Sequence, residues 1–185
     1  AFFSWVIAWP IPETTVSGTQ PFKASVMINH FQDLFYLLKR KELRYAALGD
    51  AWFWGLGGFF YLVLVKISGE VVAGKIGMGT LYGFWFLLLG VGIMVGSVFV
   101  AYLNRGRIEI GLSAIGAMGM PFVFMGFCLS NPLSNSFSGL CLALGFFGAL
   151  FFVPLNGYIQ DKAKENERGR VLAASNLLTQ LAGIF

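Results

Sequence analysis

Few side chains in this sequence are equipped for chemistry, and the first pair to test is His30 and Asp33 in "MINHFQDLF". A carboxylate that orients an imidazole makes a general base. The pair used for acyl transfer to glycerolipids has four intervening residues, whereas two intervene here, so no catalytic site follows; a lone His on the polar flank of a helix is solvated. Asp50, in "LGDAWFWGLGG", is an acid inside a long apolar run, more than a turn from its start. A carboxylate inside a membrane is costly and faces protein or a water-filled cavity. On an ideal helix Asp50, Trp54, Gly57 and Tyr61 form one stripe, which would give a cavity wall of one acid, two amphipathic aromatics and a packing glycine. The other reading places Asp50 near enough to the interface to be hydrated. The third candidate is "DKAKENERGR", residues 161–170, which is densely charged in a chain with only 12% charged residues. No cluster with metal-ligand spacing and no phosphate loop is present, so no cofactor and no ATP hydrolysis are expected.

The elements that hold these residues follow from composition. With 57% hydrophobic and 17% aromatic residues, the chain lacks the roughly one-quarter charged content of a soluble domain. It reads as an integral membrane protein. Four runs are long enough to fill a hydrocarbon layer of about 30 Å: Tyr45 to Val65, Met78 to Leu103, Ile108 to Leu129 and Phe137 to Ile159. Each should be a helix, because backbone groups find no water in lipid. A β-barrel would need shorter strands of alternating polarity. The apolar ends, "AFFSWVIAW" and "VLAASNLLTQLAGIF", read as cut helices, and the chain as an internal piece of a larger polytopic protein. No basic residue precedes the opening apolar stretch, which argues against a signal peptide.

The expected fold class is therefore an all-α membrane bundle. Residues 1–44 would comprise the end of a membrane helix, a linker and an amphipathic interfacial helix; residues 45–185 would form four full helices and one truncated helix. In the amphipathic segment from Phe22 to Lys41, Ala24, Met27, Ile28, Phe31, Leu34, Phe35 and Leu38 share one face. Asn29, Gln32, Asp33, Lys39 and Arg40 fall opposite. Such a helix is expected to lie in the interface with Lys39 to Lys41 near anionic headgroups. Small residues recur as "GTLYG", "GIMVG" and "GAMG", a spacing that lets helices approach closely. Pro121 and Pro154 each remove a helical hydrogen bond. Cys128 and Cys141 flank "SNPLSNSF" and are either a disulfide or two buried thiols.

Of the 13 Lys and Arg residues, all but Lys66 and Lys75 fall on alternate loops that share one side. The positive-inside rule makes that side cytoplasmic. Spread over membrane-flanking loops, the basic residues do not form a nucleic-acid face. Orientation needs no acids, however, and Asp161, Glu165 and Glu167 lie on the same side as the short basic turn holding Arg105 and Arg107. Two readings stand: a solvated charged loop, or a cytoplasmic gate in which Arg105, Arg107, Asp161, Glu165, Arg168 and Arg170 exchange partners.

The segment "GSVFVAYLNRGRIEIGLSAIGAMGM" resembles the eighth-to-ninth helix turn of the major facilitator superfamily. "LGDAWFWGLGG" and "VPLNGYIQDKAKENERGRVLAASN" are similar to the seventh helix and the tenth-to-eleventh loop of its bacterial lysophospholipid transporter group. The resemblance implies a piece running from the end of helix six to helix eleven, the C-terminal half of a twelve-helix transporter. It also implies a multi-pass protein of the cytoplasmic (inner) membrane whose partners are membrane lipid, a lysophospholipid substrate and the N-terminal half of the transporter. Some members of the group are fused to acyltransferase and ligase domains. The alternatives are a major facilitator for another small molecule, the membrane part of a bifunctional acyltransferase, and a noncatalytic scaffold. One departure stands out: the basic turn has Asn104 where many members carry an acid.

Overall fold

The computed structural model describes residues 26–72, 78–104, 107–164 and 167–184. Among them are six helices and no strand: α1 (Val26–Lys39), α2 (Lys41–Val72), α3 (Met78–Leu103), α4 (Gly111–Leu129), α5 (Asn135–Lys162) and α6 (Arg168–Ile184). The helices α2, α3, α4 and α5 are each long and apolar enough to cross a membrane. They coincide with the four apolar runs, and α6 begins where the truncated helix was expected.

The largest difference in extent is in α2, whose 32 residues span about 48 Å at 1.5 Å per residue, well beyond a hydrocarbon layer of about 30 Å. It is therefore longer than an upright span requires. Toward its far end, exposed Lys66 and Glu70, one turn apart, approach to 3.9 Å. The α4–α5 loop is fixed by its own polar side chains. Asn131 Oδ1 accepts the Leu133 N–H at 2.9 Å, and Ser134 caps α5 by accepting the Phe137 N–H at 3.2 Å. Pro121 and Pro154 lie inside α4 and α5 without ending either helix. Cys128 is exposed, Cys141 is buried, and both are free thiols.

Packing divides the chain into two groups. Helices α3 and α4 each pack extensively on α5, α6 packs on α2 and on α1, and α2 also crosses α5. One apolar core lies toward the α4–α5 loop around Trp85, Phe137, Cys141 and Leu144. The other lies at the basic end around Leu37, Leu43, Ala47, Ile159 and Val171. Helices α3 and α5 meet backbone to backbone: a Cβ on Gly92 would strike the Leu142 carbonyl, and one on Gly145 the Leu89 carbonyl. The "GIMVG" and "GAMG" glycines thus make close contacts, whereas Gly83 of "GTLYG" has open space beside it.

Helix α1 is amphipathic as expected but turned differently. Asp33, Leu34 and Leu37 are buried, while Phe31 and Phe35 are 54% and 64% exposed. Asp33, placed on the watery face by local spacing, points inward because Arg170 supplies a partner for it. The earlier part of the segment, including the side chain of His30, lies outside the described residues.

This topology sets α1 and the α4–α5 loop on opposite sides of the membrane. Single cysteines at Asn29 and Asn135 in the full-length protein should therefore label from opposite sides in sealed vesicles; labelling from the same side would contradict the fold.

Candidate functional site

Asp50 sits on α2 near the basic end and is only 3% exposed. A buried carboxylate is tolerated when a donor meets it. Asn156 on α5 provides one: its Nδ2 donates to Asp50 Oδ1 at 2.8 Å and to the Phe152 carbonyl, one turn back, at 3.3 Å. The contact joins the two helices that cross between the packing groups.

Beside this pair opens a cavity of about 680 Å³, with walls from α2, α3, α4, α5 and α6. That is within the range of about 300–1,000 Å³ usual for small-molecule sites. Asp50, Trp54, Gly57 and Tyr61 all line it, together with Asn156, and α6 adds Asn176, Thr179 and Gln180. These three fall at i, i+3 and i+4, so one helical face presents them together. Further in, the wall becomes aromatic and apolar. Phe53 stacks on Phe152 with ring centroids 5.1 Å apart, Tyr61 meets Tyr82 edge-on at 5.5 Å, and Met120, Phe124 and Leu64 continue the lining. Asp50 and Leu64 are about 21 Å apart along α2 at 1.5 Å per residue. The cavity is thus polar near the Asp50–Asn156 pair and apolar for most of its length.

Spacing alone identified the α2 stripe. It did not identify Asn156, a single amide in an apolar run, or the α6 triad, whose helical spacing was there to be read.

The charged loop is arranged differently from the α2 stripe. Arg105 and Glu165 lie outside the described residues. Arg107, Asp161 and Arg168 are exposed and belong to none of the ion pairs among the described residues. Arg170 reaches α1, where its Nε donates to Asp33 Oδ1 at 3.0 Å and its Nη2 bonds the same oxygen. Hydrogen bonding to Asp33, and then its charge, raises the guanidinium pKa above its ordinary value. Its linked stability is fully present below the ordinary arginine pKa and is lost only as pH rises through the raised one, far above physiological pH. Glu167 accepts from the Tyr36 hydroxyl at 3.0 Å and lies 3.3 Å from Arg40. The Tyr36 ring lies under both guanidiniums, 5.2 Å from Arg40 and 5.7 Å from Arg170. Two charges of the loop thus fasten α1 to α6. In the basic turn, Asn104 Oδ1 accepts the Glu109 N–H at 3.0 Å and closes the turn.

Removing Arg170 alone strands a mostly buried carboxylate. Arg170→Gln in the full-length protein is expected to lower the thermal unfolding temperature, because Asp33 loses its partner. The double variant with Asp33→Asn should recover most of that in thermal unfolding; additive losses would show that the pair is not coupled.

The model of the Major Facilitator Superfamily matches residues 1–185. The lysophospholipid transporter LplT of Klebsiella pneumoniae strain 342 is 30% identical over 142 residues, covering 76% of this chain and 35% of that protein. The lysophospholipid transporter LplT of Cronobacter sakazakii strain ATCC BAA-894 is 30% identical over 138 residues, covering 74% of this chain and 34% of its own length. The chain spans about a third of the length of the curated relatives it matches. No solved structure matches it significantly. Four membrane-length apolar helices, their packing around one cavity and the match over the whole chain lead to one statement: this chain is a multi-pass membrane protein and belongs to the Major Facilitator Superfamily.

Proposed function

We propose that the protein is a secondary transporter that moves lysophospholipid across the cytoplasmic membrane by alternating access, with the substrate held between this bundle and the other half of the transporter. The observation that carries the reading is the graded cavity. A lysophospholipid has a compact polar head and one long acyl chain, and the cavity offers carboxylate, amide and hydroxyl groups at one end and an aromatic, apolar wall beyond. In this reading Asp50 and Asn156 face the headgroup, Trp54 and Tyr61 flank the path, and Gly57 leaves room for the chain. The names of the relatives point the same way.

Arg107, Asp161 and Arg168, exposed at the basic end, form with Arg105, Glu165 and Arg170 the cytoplasmic gate of this proposal. Each exposed pair would be worth about 0–1 kcal/mol, enough to bias two states of similar energy but not to hold the fold. The test is uptake of labelled lysophospholipid by full-length protein reconstituted in vesicles, with a sugar and a cationic drug as competing cargoes. Preferential movement of the lipid is the expected result; equal or greater movement of either competitor would overturn the substrate assignment.

A further inference from the structure

At the basic end, away from the large cavity, the first turn of α2 and the end of α5 enclose a hollow of about 380 Å³. Arg40 and Lys41 line it from one side and Lys162 and Lys164 from the other, with Glu42 as its lining acid. A positive-inside count requires lysines on this face of the membrane but does not require them to converge. Here two segments more than a hundred residues apart bring four cations around one space.

Three of those cations are free to serve a ligand. Lys41, Lys162 and Lys164 are exposed and take part in no ion pair among the described residues. Arg40 is committed to Glu167, whose Oε2 lies 3.3 Å from its Nη1, and lends the hollow the charge of its guanidinium and not a free donor. Arg40 is also the one residue between α1 and α2, so its position is fixed by both helices. The N–H groups of Leu43 and Arg44 bond the Arg40 carbonyl, and the positive end of the α2 dipole adds to the field on the same side. Lys162 lies over the Tyr158 ring at 5.8 Å, which holds its stem against the bundle.

We propose that this hollow binds a phosphate group, carried either by an anionic lipid headgroup or by a free phosphate ester. The hollow is too small for an acyl chain to enter with the phosphate, so a lipid would seat its head there and leave its tail in the bilayer beside α2 and α5. The cations are at the membrane-flanking ends of two spans, the level at which such heads lie. This site shares no residue with the large cavity or with the proposed gate, and it stands or falls independently of the transported substrate.

The test uses full-length protein in nanodiscs of phosphatidylcholine containing a minor fraction of phosphatidylglycerol, with the lipid that co-purifies measured by mass spectrometry. Inorganic phosphate and glycerol 3-phosphate are added in separate arms. Wild type should enrich phosphatidylglycerol, and Lys162→Gln with Lys164→Gln should weaken the enrichment about thirtyfold, roughly fivefold for each cation. The pair Lys162→Arg with Lys164→Arg should retain it, and Lys66→Gln, a charge change at the opposite end, should not alter it. Displacement of the lipid by millimolar phosphate or glycerol 3-phosphate assigns the site to the phosphate group alone; lipid enrichment without displacement assigns it to the membrane headgroup. If neither probe distinguishes wild type from the glutamine pair, or if Lys66→Gln loses as much, the hollow is not a phosphate site.

Discussion

Asp50→Asn is expected to lower lysophospholipid uptake by the full-length protein about tenfold to a hundredfold, an increase of about 1.4–2.8 kcal/mol in the barrier, with little change in the amount of folded protein. The substitution is nearly isosteric. Its amide oxygen can still accept from Asn156 Nδ2, which now meets Asp50 Oδ1 at 2.8 Å, so the link between α2 and α5 survives and only the charge is lost. Asp50→Leu should do worse on both counts, because it leaves the Asn156 donor facing an apolar side chain. Uptake measured beside detergent-extracted yield separates the two effects. Unchanged uptake in Asp50→Asn would remove the carboxylate from the transport mechanism.

The second large effect is on folding. Gly145→Val should cost more than the 1–3 kcal/mol or so typical of overpacking, and most of the protein should be lost from the monodisperse peak in size-exclusion chromatography. Overpacked cores usually relax by side-chain rotation, but here the added carbons would meet the Leu89 carbonyl and the Ile93 N–H, which are backbone. Gly92→Val should behave alike, against the Leu142 carbonyl. Gly83→Ala is the matched control: nothing lies within 4 Å of its added carbon, so it should be neutral or gain up to about 1 kcal/mol from helix propensity. Equal tolerance at Gly145 and Gly83 would contradict the α3–α5 contact.

The membrane helices were legible because lipid imposes one strong local rule, a continuous apolar run, and the chain follows it at all four spans. The α2 stripe was legible because helical spacing places Asp50, Trp54, Gly57 and Tyr61 on one side. What could not be read depends on partners far along the chain. Asp33 is 137 residues from Arg170 and Tyr36 is 131 from Glu167, so nothing near α1 signals that its polar flank faces inward. The glycine motifs make the same point. "GTLYG" and "GIMVG" have identical spacing, yet Gly92 and Gly96 meet α5 at close range while Gly83 meets nothing. Spacing permits close approach, and the neighbouring helix decides whether it occurs.

In mechanical terms, a joint made of Gly92 and Gly145 has almost no compliance. Side chains between two helices act as short springs, since each can change rotamer and let the helices slide by fractions of a turn. With backbone on backbone there is no such intermediate, and a shift along the axis would drive the side chain of Leu89 or Ile93 into the facing helix. α3 and α5 therefore behave as a single strut. The elastic travel of any conformational cycle is displaced to the seam where α2 and α6 adjoin that strut, which is where the cavity lies. Stiffness in one part of the bundle thus determines where the cavity can widen.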